Sequence, residues 1–553
     1  MPHPVKSSEI HRFNVIAGDF LEQSHELFPQ EASALGLHRF NAELGENTPK
    51  VHLAYVRLLE GYLAAAEAFP EIAFTGDDWL DRRGFLAMLR TELFFHRDFP
   101  HWRHNPQTHC DAAIGCIFDL VVRNTENLRK VQAAIESRMA KLPAFLSAGA
   151  ECLKDPVPLW SKLAIQSCEG ALVFLREIEK ELVGISSTPA RTAKLFAGAV
   201  AAFKSYARDV GNKKMGNANG FSVGRANFEL LIRERLGMSM SLPEAESLGR
   251  GLVERFSRLQ KIEAAKLGRG KAAEIIEAAA ARWRPAGTLL EEYRAATTRM
   301  RGRFAKAGLL TLPRDETLKV LPVPEFLRHQ FPTAAYNSPG PYERKQTGIF
   351  WVNDLSLLQK DPAKKQAEIR QHFGLELTSA HEAYPGHHAQ FVIQNRHRSK
   401  LRRLFHHAIF YEGWTLWCEK MCVEHGIYRA RHARLVQASD ALWRAWRIVI
   451  DCGLHGGALD YKKACRLLMD GVGFTAGRAQ GDVNWYTSAP TVPMSYLIGR
   501  LELEKLHDKL VIRAHWPLKK FNDWILGFGA IPWSWIWQSA LTSENLPIAA
   551  PRA

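Results

Sequence analysis

The sequence predicts a large, mainly α-helical body with one small β element near residues 347–354. Three observations carry that expectation. Apolar residues recur at spacings of three and four through most long segments, among them Val51 to Phe69, Val131 to Leu153, Leu252 to Leu267 and Lys271 to Ala281, the period that gives a helix one apolar face. Most of these segments are rich in Ala, Leu, Glu and Lys, which are strong helix formers. One of the few β-branched and aromatic runs between turn residues is Thr347-Gly-Ile-Phe-Trp-Val-Asn353, which reads as a short strand.

Breaks between the helices follow from proline and glycine. They fall at Asp155-Pro156-Val157-Pro158, at Gly211 to Gly224, and in the proline-bearing run Leu312 to Pro341. The last of these suggests an N-terminal helical lobe over 1–310 and a C-terminal helical lobe over 311–553, unless the chain forms one continuous domain. After the strand, Asp361-Pro362 opens a helical run, Lys364 to Leu375, that leads into a histidine-rich motif. A strand beside that motif, if it is a sheet edge, is placed to pair with an extended substrate.

Composition narrows the class. An apolar fraction of 46% with 24% charged residues fits a globular protein and excludes a disordered one. The formal charge of +15 invites a nucleic-acid reading. The basic residues, however, are scattered as pairs such as Arg82-Arg83, Lys213-Lys214, Lys364-Lys365 and Arg402-Arg403, without a long tract or a recognition motif. No nucleic-acid partner is expected. Met1 to Glu9 has no apolar core of a signal peptide, and no run of 18 apolar residues occurs, so the expectation is a cytoplasmic protein with no membrane partner. Eight cysteines without a Cys-x-x-Cys pair read as reduced core thiols. Cys418, Cys422 and His425 share a helical run where thiols pack, and the irregular His96, His101, His104 and His109 read as a loop cluster.

The chemistry is concentrated in His381-Glu-Ala-Tyr-Pro-Gly-His-His388 and in Glu412. Two imidazoles and a carboxylate can hold one zinc ion and leave a position for water, and a further carboxylate can serve as base. In a His-Glu-x-x-His helix the second ligand sits four residues on, and here that position is Pro385. On a straight helix His388 would lie ~10.5 Å along the axis from His381, too far for one ion. A break at Pro385-Gly386 is therefore expected, because proline removes a donor and glycine accepts unusual dihedrals. Geometry alone leaves His387 and His388 both open as the second ligand.

These residues, with Ala389-Gln390 and Tyr411-Glu-Gly-Trp-Thr-Leu-Trp-Cys-Glu419, resemble the bacterial domain of unknown function 885. The resemblance extends to Pro29-Gln-Glu-Ala-Ser-Ala-Leu-Gly-Leu-His38, Asp451-Cys-Gly-Leu-His455 and Tyr486 through Gly499. It implies a large helical body, similar to helical zinc peptidases, with a deep cleft and a metal-dependent hydrolase or peptidase activity. The chain departs from the usual pattern where Pro490-Thr-Val-Pro-Met-Ser-Tyr496 replaces a Pro-Gly-Gln segment, and where Asn484-Trp485-Tyr486 replaces a Glu-Arg-Tyr-like triplet.

Roles follow from the chemistry. Glu382, next to a ligand, is the candidate general base. Glu412, 31 residues after His381, is the candidate third ligand, and Glu419 is placed to orient a ligand from behind. The alternative for both is a buried ion pair. His455, with Asp451, is a candidate donor to a developing oxyanion, and Tyr486 and Tyr496 are candidate phenol donors; each also fits a structural role. The expected substrate is a peptide or small acyl-amino compound, cut at an amide. An ester or lactone substrate, or a non-catalytic binding protein on the same fold, are the rivals.

Overall fold

The computed structural model describes residues 4–324, 328 and 333–542. Part of the expected lobe boundary (325–327 and 329–332), Met1 to His3 and the C-terminal end lie outside the described residues. The chain is mainly α-helical with one small three-stranded sheet. The periodic segments fold as read, as Pro49–Glu67, Gln132–Cys152, Leu242–Ala265 and Ala272–Arg282. Pro49 and Pro158 each stand at the first turn of their helices, where a missing N–H costs nothing.

The sheet differs in extent from the expectation. Two further strands lie inside the proline-bearing run: β1 (Glu316–Pro322) and β2 (Ala334–Asn337) flank β3 (Gln346–Val352). β1 pairs with β3 in parallel, Glu316 opposite Gln346, and β2 pairs antiparallel, Ala334 opposite Val352. The strand read from sequence is therefore central, and the sheet edge available to a substrate is not β3. Its unbroken apolar character has a packing cause. Ile349 and Trp351 join the core of the helices Gln107–Arg123 to Pro189–Gly211, while Phe350 and Val352 point the other way, onto Tyr293, Leu375 and Tyr384. Both faces are covered.

One core runs through most of the molecule. It joins Phe13, Phe85 and Phe228 from before residue 310 to Trp414, Leu497 and Ile536 from after it. Arg402, fully buried, adds a polar tie: its Nε lies 2.6 Å from Asp81 Oδ1. All eight cysteines are free and buried. No helix among the described residues is long and apolar enough to cross a membrane.

Five helices frame the histidine motif: α1 (Leu375–Glu382), α2 (His387–Asn395), α3 (Ala408–Glu424), α4 (Ala433–His455) and α5 (Val492–His507). α3 and α5 touch backbone to backbone at Gly413 and Gly499. A Cβ on Gly499 would stand 2.2 Å from the Ile409 carbonyl oxygen and 2.9 Å from Gly413 Cα. This close crossing brings Glu412 on α3 beside Tyr496 on α5. Asp451 of α4 accepts the backbone N–H groups of Thr491 and Met494, at 3.3 and 3.2 Å, and so caps the start of α5.

Gly499→Ala is expected to destabilise the protein by about 3 kcal/mol in urea unfolding, because the obstructing atoms are backbone and cannot rotate away. Gly251→Ala, in the helix Leu242–Ala265 with nothing near its added methyl, is expected to stabilise by about 0.5–1 kcal/mol. Equal effects at the two sites would mean that the crossing is not tight.

Candidate functional site

The helix does break at the motif. Ala383 leaves helical geometry at φ −111°, ψ −93°, and Gly386 adopts φ −72°, ψ −134° before α2 starts at His387. The Tyr384–Pro385 peptide bond is cis. The Gly386 N–H donates to the Ala380 carbonyl at 3.0 Å, and a Cβ on Gly386 would fall 1.8 Å from the His381 carbonyl oxygen. Only glycine fits. Trp414 Nε1–H donates to the Pro385 carbonyl at 2.9 Å, tying the break to α3. The triplet Glu412-Gly413-Trp414 thus supplies a carboxylate, the helix crossing and this anchor in consecutive residues.

The break turns His387 back onto His381. Their ring centroids are 4.9 Å apart at 84°. Glu412 Oε2 lies 3.5 Å from His381 Nε2 and 3.6 Å from His387 Nε2. Ligands about 2.0–2.1 Å from a tetrahedral zinc stand roughly 3.3–3.4 Å from one another, so both separations from Glu412 suit ligands of one ion. Glu412 Oε2 and His387 Nδ1 are also buried with no hydrogen-bond partner, a costly state that a cation at the first of them relieves. By distance Glu382 is a rival ligand, since it can place an oxygen within 4.8 Å of both histidines. Glu412 differs from it in that one of its oxygens approaches both Nε2 atoms and is otherwise unpaired.

Glu419 stands behind His381. Its Oε1 accepts from His381 Nδ1 at 2.8 Å, leaving Nε2 free to face Glu412. Arg444 lies 3.7 Å from the same oxygen, so the ion-pair alternative holds beside the orienting role. Burial opposes charge on His381, but Glu412 and Glu419 outweigh it and push its pKa up to about 10. Burial likewise opposes ionisation of Glu412, and the two imidazoles overcome it, holding that carboxyl far below its ordinary range. A cation exchanges for protons in such a cluster. Glu382 is half-buried, and burial raises its pKa against the pull of His381 and His387.

Of the remaining candidates one lies at the cluster. Tyr496 stacks near His381, centroids 6.4 Å apart, with its hydroxyl in hydrogen-bonding reach of Glu412. His388 is not a ligand in this arrangement. Its Nε2 lies 2.7 Å from Glu316 Oε2 and its Nδ1 2.9 Å from the Tyr336 hydroxyl, so both nitrogens are occupied away from the cluster. His455 is also displaced: fully buried, it faces the Tyr486 carbonyl at 3.0 Å and stacks on Phe228, and burial lowers its pKa to about 4. Tyr486 spends its hydroxyl on Asp482, at 2.7 Å, and on Arg447, at 3.0 Å. These two residues belong to the frame and not to the cluster.

Sequence reasoning missed Glu316 on β1 and Tyr336 on β2, which hold His388 and wall the site. Gly348 makes room for that pair, since a Cβ there would meet His388 Nδ1 and Tyr336 Oη at 2.5 Å. It also missed the pocket in front of His387 and Glu412, about 360 Å³ in volume, to which Arg123, Asn337 and His406 contribute. Tyr411, beside Glu412 in sequence, was the one signal available for it.

Trp414→Phe keeps an aromatic side chain but removes the indole N–H and strands the Pro385 carbonyl. Unfolding in urea should become easier by about 1–3 kcal/mol; an unchanged stability would show that the break stands without this bond.

Two solved structures share the fold. A "putative lipoprotein of unknown function" from Shewanella oneidensis is 19% identical at a TM-score of 0.75, over 96% of this chain and 99% of that one. A "putative lipoprotein" from Colwellia psychrerythraea is 16% identical at a TM-score of 0.76, over 96% and 98%. No curated protein matches the chain. Residues 29–538 match the pattern described as bacterial protein of unknown function (DUF885), and the chain belongs to that family.

Proposed function

We propose that the protein is a zinc-dependent hydrolase that cuts an amide bond in a peptide or small acyl-amino compound. The observation that carries this reading is the meeting of His381 Nε2, His387 Nε2 and Glu412 Oε2, at 3.5 and 3.6 Å from the shared oxygen, with Glu382 beside them. His381, His387 and Glu412 would hold the ion. Zinc supplies a Lewis acid that acidifies water and polarises a carbonyl.

The chain's own groups supply the rest. Glu382 accepts a proton from water as the new O–C bond forms, and returns it to the leaving nitrogen as the C–N bond breaks. One amide and one water thereby give a carboxylic acid and an amine, and the acid then passes its proton to the amine to leave a carboxylate and an ammonium. Glu419 fixes the His381 ring so that Nε2 keeps its direction. Tyr496, in hydrogen-bonding reach of Glu412, is a phenol that can donate a hydrogen bond at the reacting centre.

Purified protein is expected to carry about one zinc by elemental analysis. His381→Ala and Glu412→Gln should lose it, whereas His388→Gln should retain it. Glu382→Gln keeps shape but cannot take a proton, so zinc should stay while turnover falls by ~10² or more. Paired amide and ester substrates decide the bond. Full zinc retention in His381→Ala and Glu412→Gln, or normal turnover in Glu382→Gln, would overturn the assignment.

A further inference from the structure

The lining of the pocket in front of the cluster has two chemically distinct parts. Phe391, His406 and Tyr411 form one of them, with Phe391 lying 5.2 Å from the His406 ring and 5.6 Å from the Tyr411 ring. Burial, and next to it His387, lowers the His406 pKa to about 4, so this wall is aromatic and uncharged near neutrality. Arg123, Asn337 and Ser338 supply polar lining apart from the cluster itself. Arg123 is the one lysine or arginine among the pocket's lining residues.

Arg123 is held without being used up. It ends the helix Gln107–Arg123, its Nη1 lies 3.3 Å from Glu343 Oε1, and Asp119 one turn earlier faces it electrostatically. Glu343 is shared in turn with His38, at 3.2 Å. A guanidinium has five N–H donors in a planar fork suited to a carboxylate, and 26% of this side chain is accessible. Asn337, on the strand β2 at the sheet edge, adds an amide, and Ser338 adds a hydroxyl. A volume of about 360 Å³ is near the small end of ligand sites, with room for one amino-acid unit and little more.

We propose that Arg123, with Asn337 and Ser338, binds the free carboxylate of the substrate. The site then takes amides whose amine half is an amino acid with an unblocked α-carboxylate and an aromatic side chain, the ring lying against Phe391 and Tyr411. This deepens the hydrolase reading above and rests on it. Arg123 acts here as the specificity-determining residue, and the catalytic groups remain Glu382 and the metal cluster.

Calorimetry with zinc-loaded Glu382→Gln protein tests the proposal without turnover, using hippuryl-L-phenylalanine and its C-terminal amide as probes. The acid should bind at least ten times more tightly than the amide. Arg123→Met should remove that preference by weakening the acid alone, and Arg123→Lys, which keeps a cation opposite Glu343, should retain part of it. Equal binding of acid and amide, equal weakening of both by Arg123→Met, or no binding of either probe would overturn the proposal. Zinc content of the same samples separates the two levels. Loss of zinc from Glu382→Gln would make Glu382 a ligand and sink the roles assigned in the hydrolase reading, whereas zinc-loaded protein that fails to discriminate would sink only the role of Arg123.

Discussion

The constraint on which the site depends is that two imidazoles six residues apart must meet on one carboxylate oxygen. No straight helix does this, since six residues advance ~9 Å and turn the side chain through most of two turns. The chain satisfies the constraint by ending α1 at Glu382 and restarting as α2 at His387. Gly386 is the indispensable piece, because any Cβ there would collide with the His381 carbonyl. The freed backbone groups are not wasted: Gly386 N–H reaches Ala380, and the Pro385 carbonyl takes the Trp414 indole. A break inside a protein core persists only when its polar groups are answered in this way.

That answer comes from α3, and it links the break to the largest core. Trp414 is fully buried, and Gly413 allows α5 to lie directly against α3. The carboxylate, the close crossing and the indole anchor therefore move as a unit, and displacing α5 would shift Glu412 and Tyr496 together. Burying so many charges demands compensation. His381 sits between Glu412 and Glu419, Glu419 also faces Arg444, and Glu316 takes His388 and Tyr384. Each carboxylate has a cationic or hydrogen-bonding neighbour, and the oxygen left bare is the one facing both Nε2 atoms.

The helices were legible because their apolar faces repeat at a helical period, and so was the break, because proline and glycine occupy the turn where a ligand was needed. β1 and β2 were not. They are short, and they lie among prolines that read as a connection; their strand character comes from pairing with β3, a contact no local pattern encodes. The choice between His387 and His388 turned on this missing information. His388 is held by Glu316 on β1 and Tyr336 on β2, residues 72 and 52 positions away. For His455 and Tyr486 the sequence left the site role and the structural role both open for a related reason. Polar residues near an expected site look alike in sequence whether they face the cluster or cap a helix, and here Asp451 caps α5 while Tyr486 serves Asp482 and Arg447.

The division of labour among elements has a consequence for selectivity. The proposed ligands stand on the helical segments α1, α2 and α3, with their rings and carboxylate fixed by buried contacts, which is the support that a metal geometry requires. The walls of the pocket come from other places: β2 supplies Tyr336 and Asn337, the next residue supplies Ser338, and the end of a distant helix supplies Arg123. Substituting a wall residue such as Ser338 leaves the metal-facing atoms of His381, His387 and Glu412 untouched, whereas Tyr336 touches both systems, since it packs over His387 and holds His388. Tyr336 is thus the point at which the fit of a ligand bears on the geometry of the cluster, and the Glu316–His388–Tyr336 chain behind it is what keeps that phenol in place.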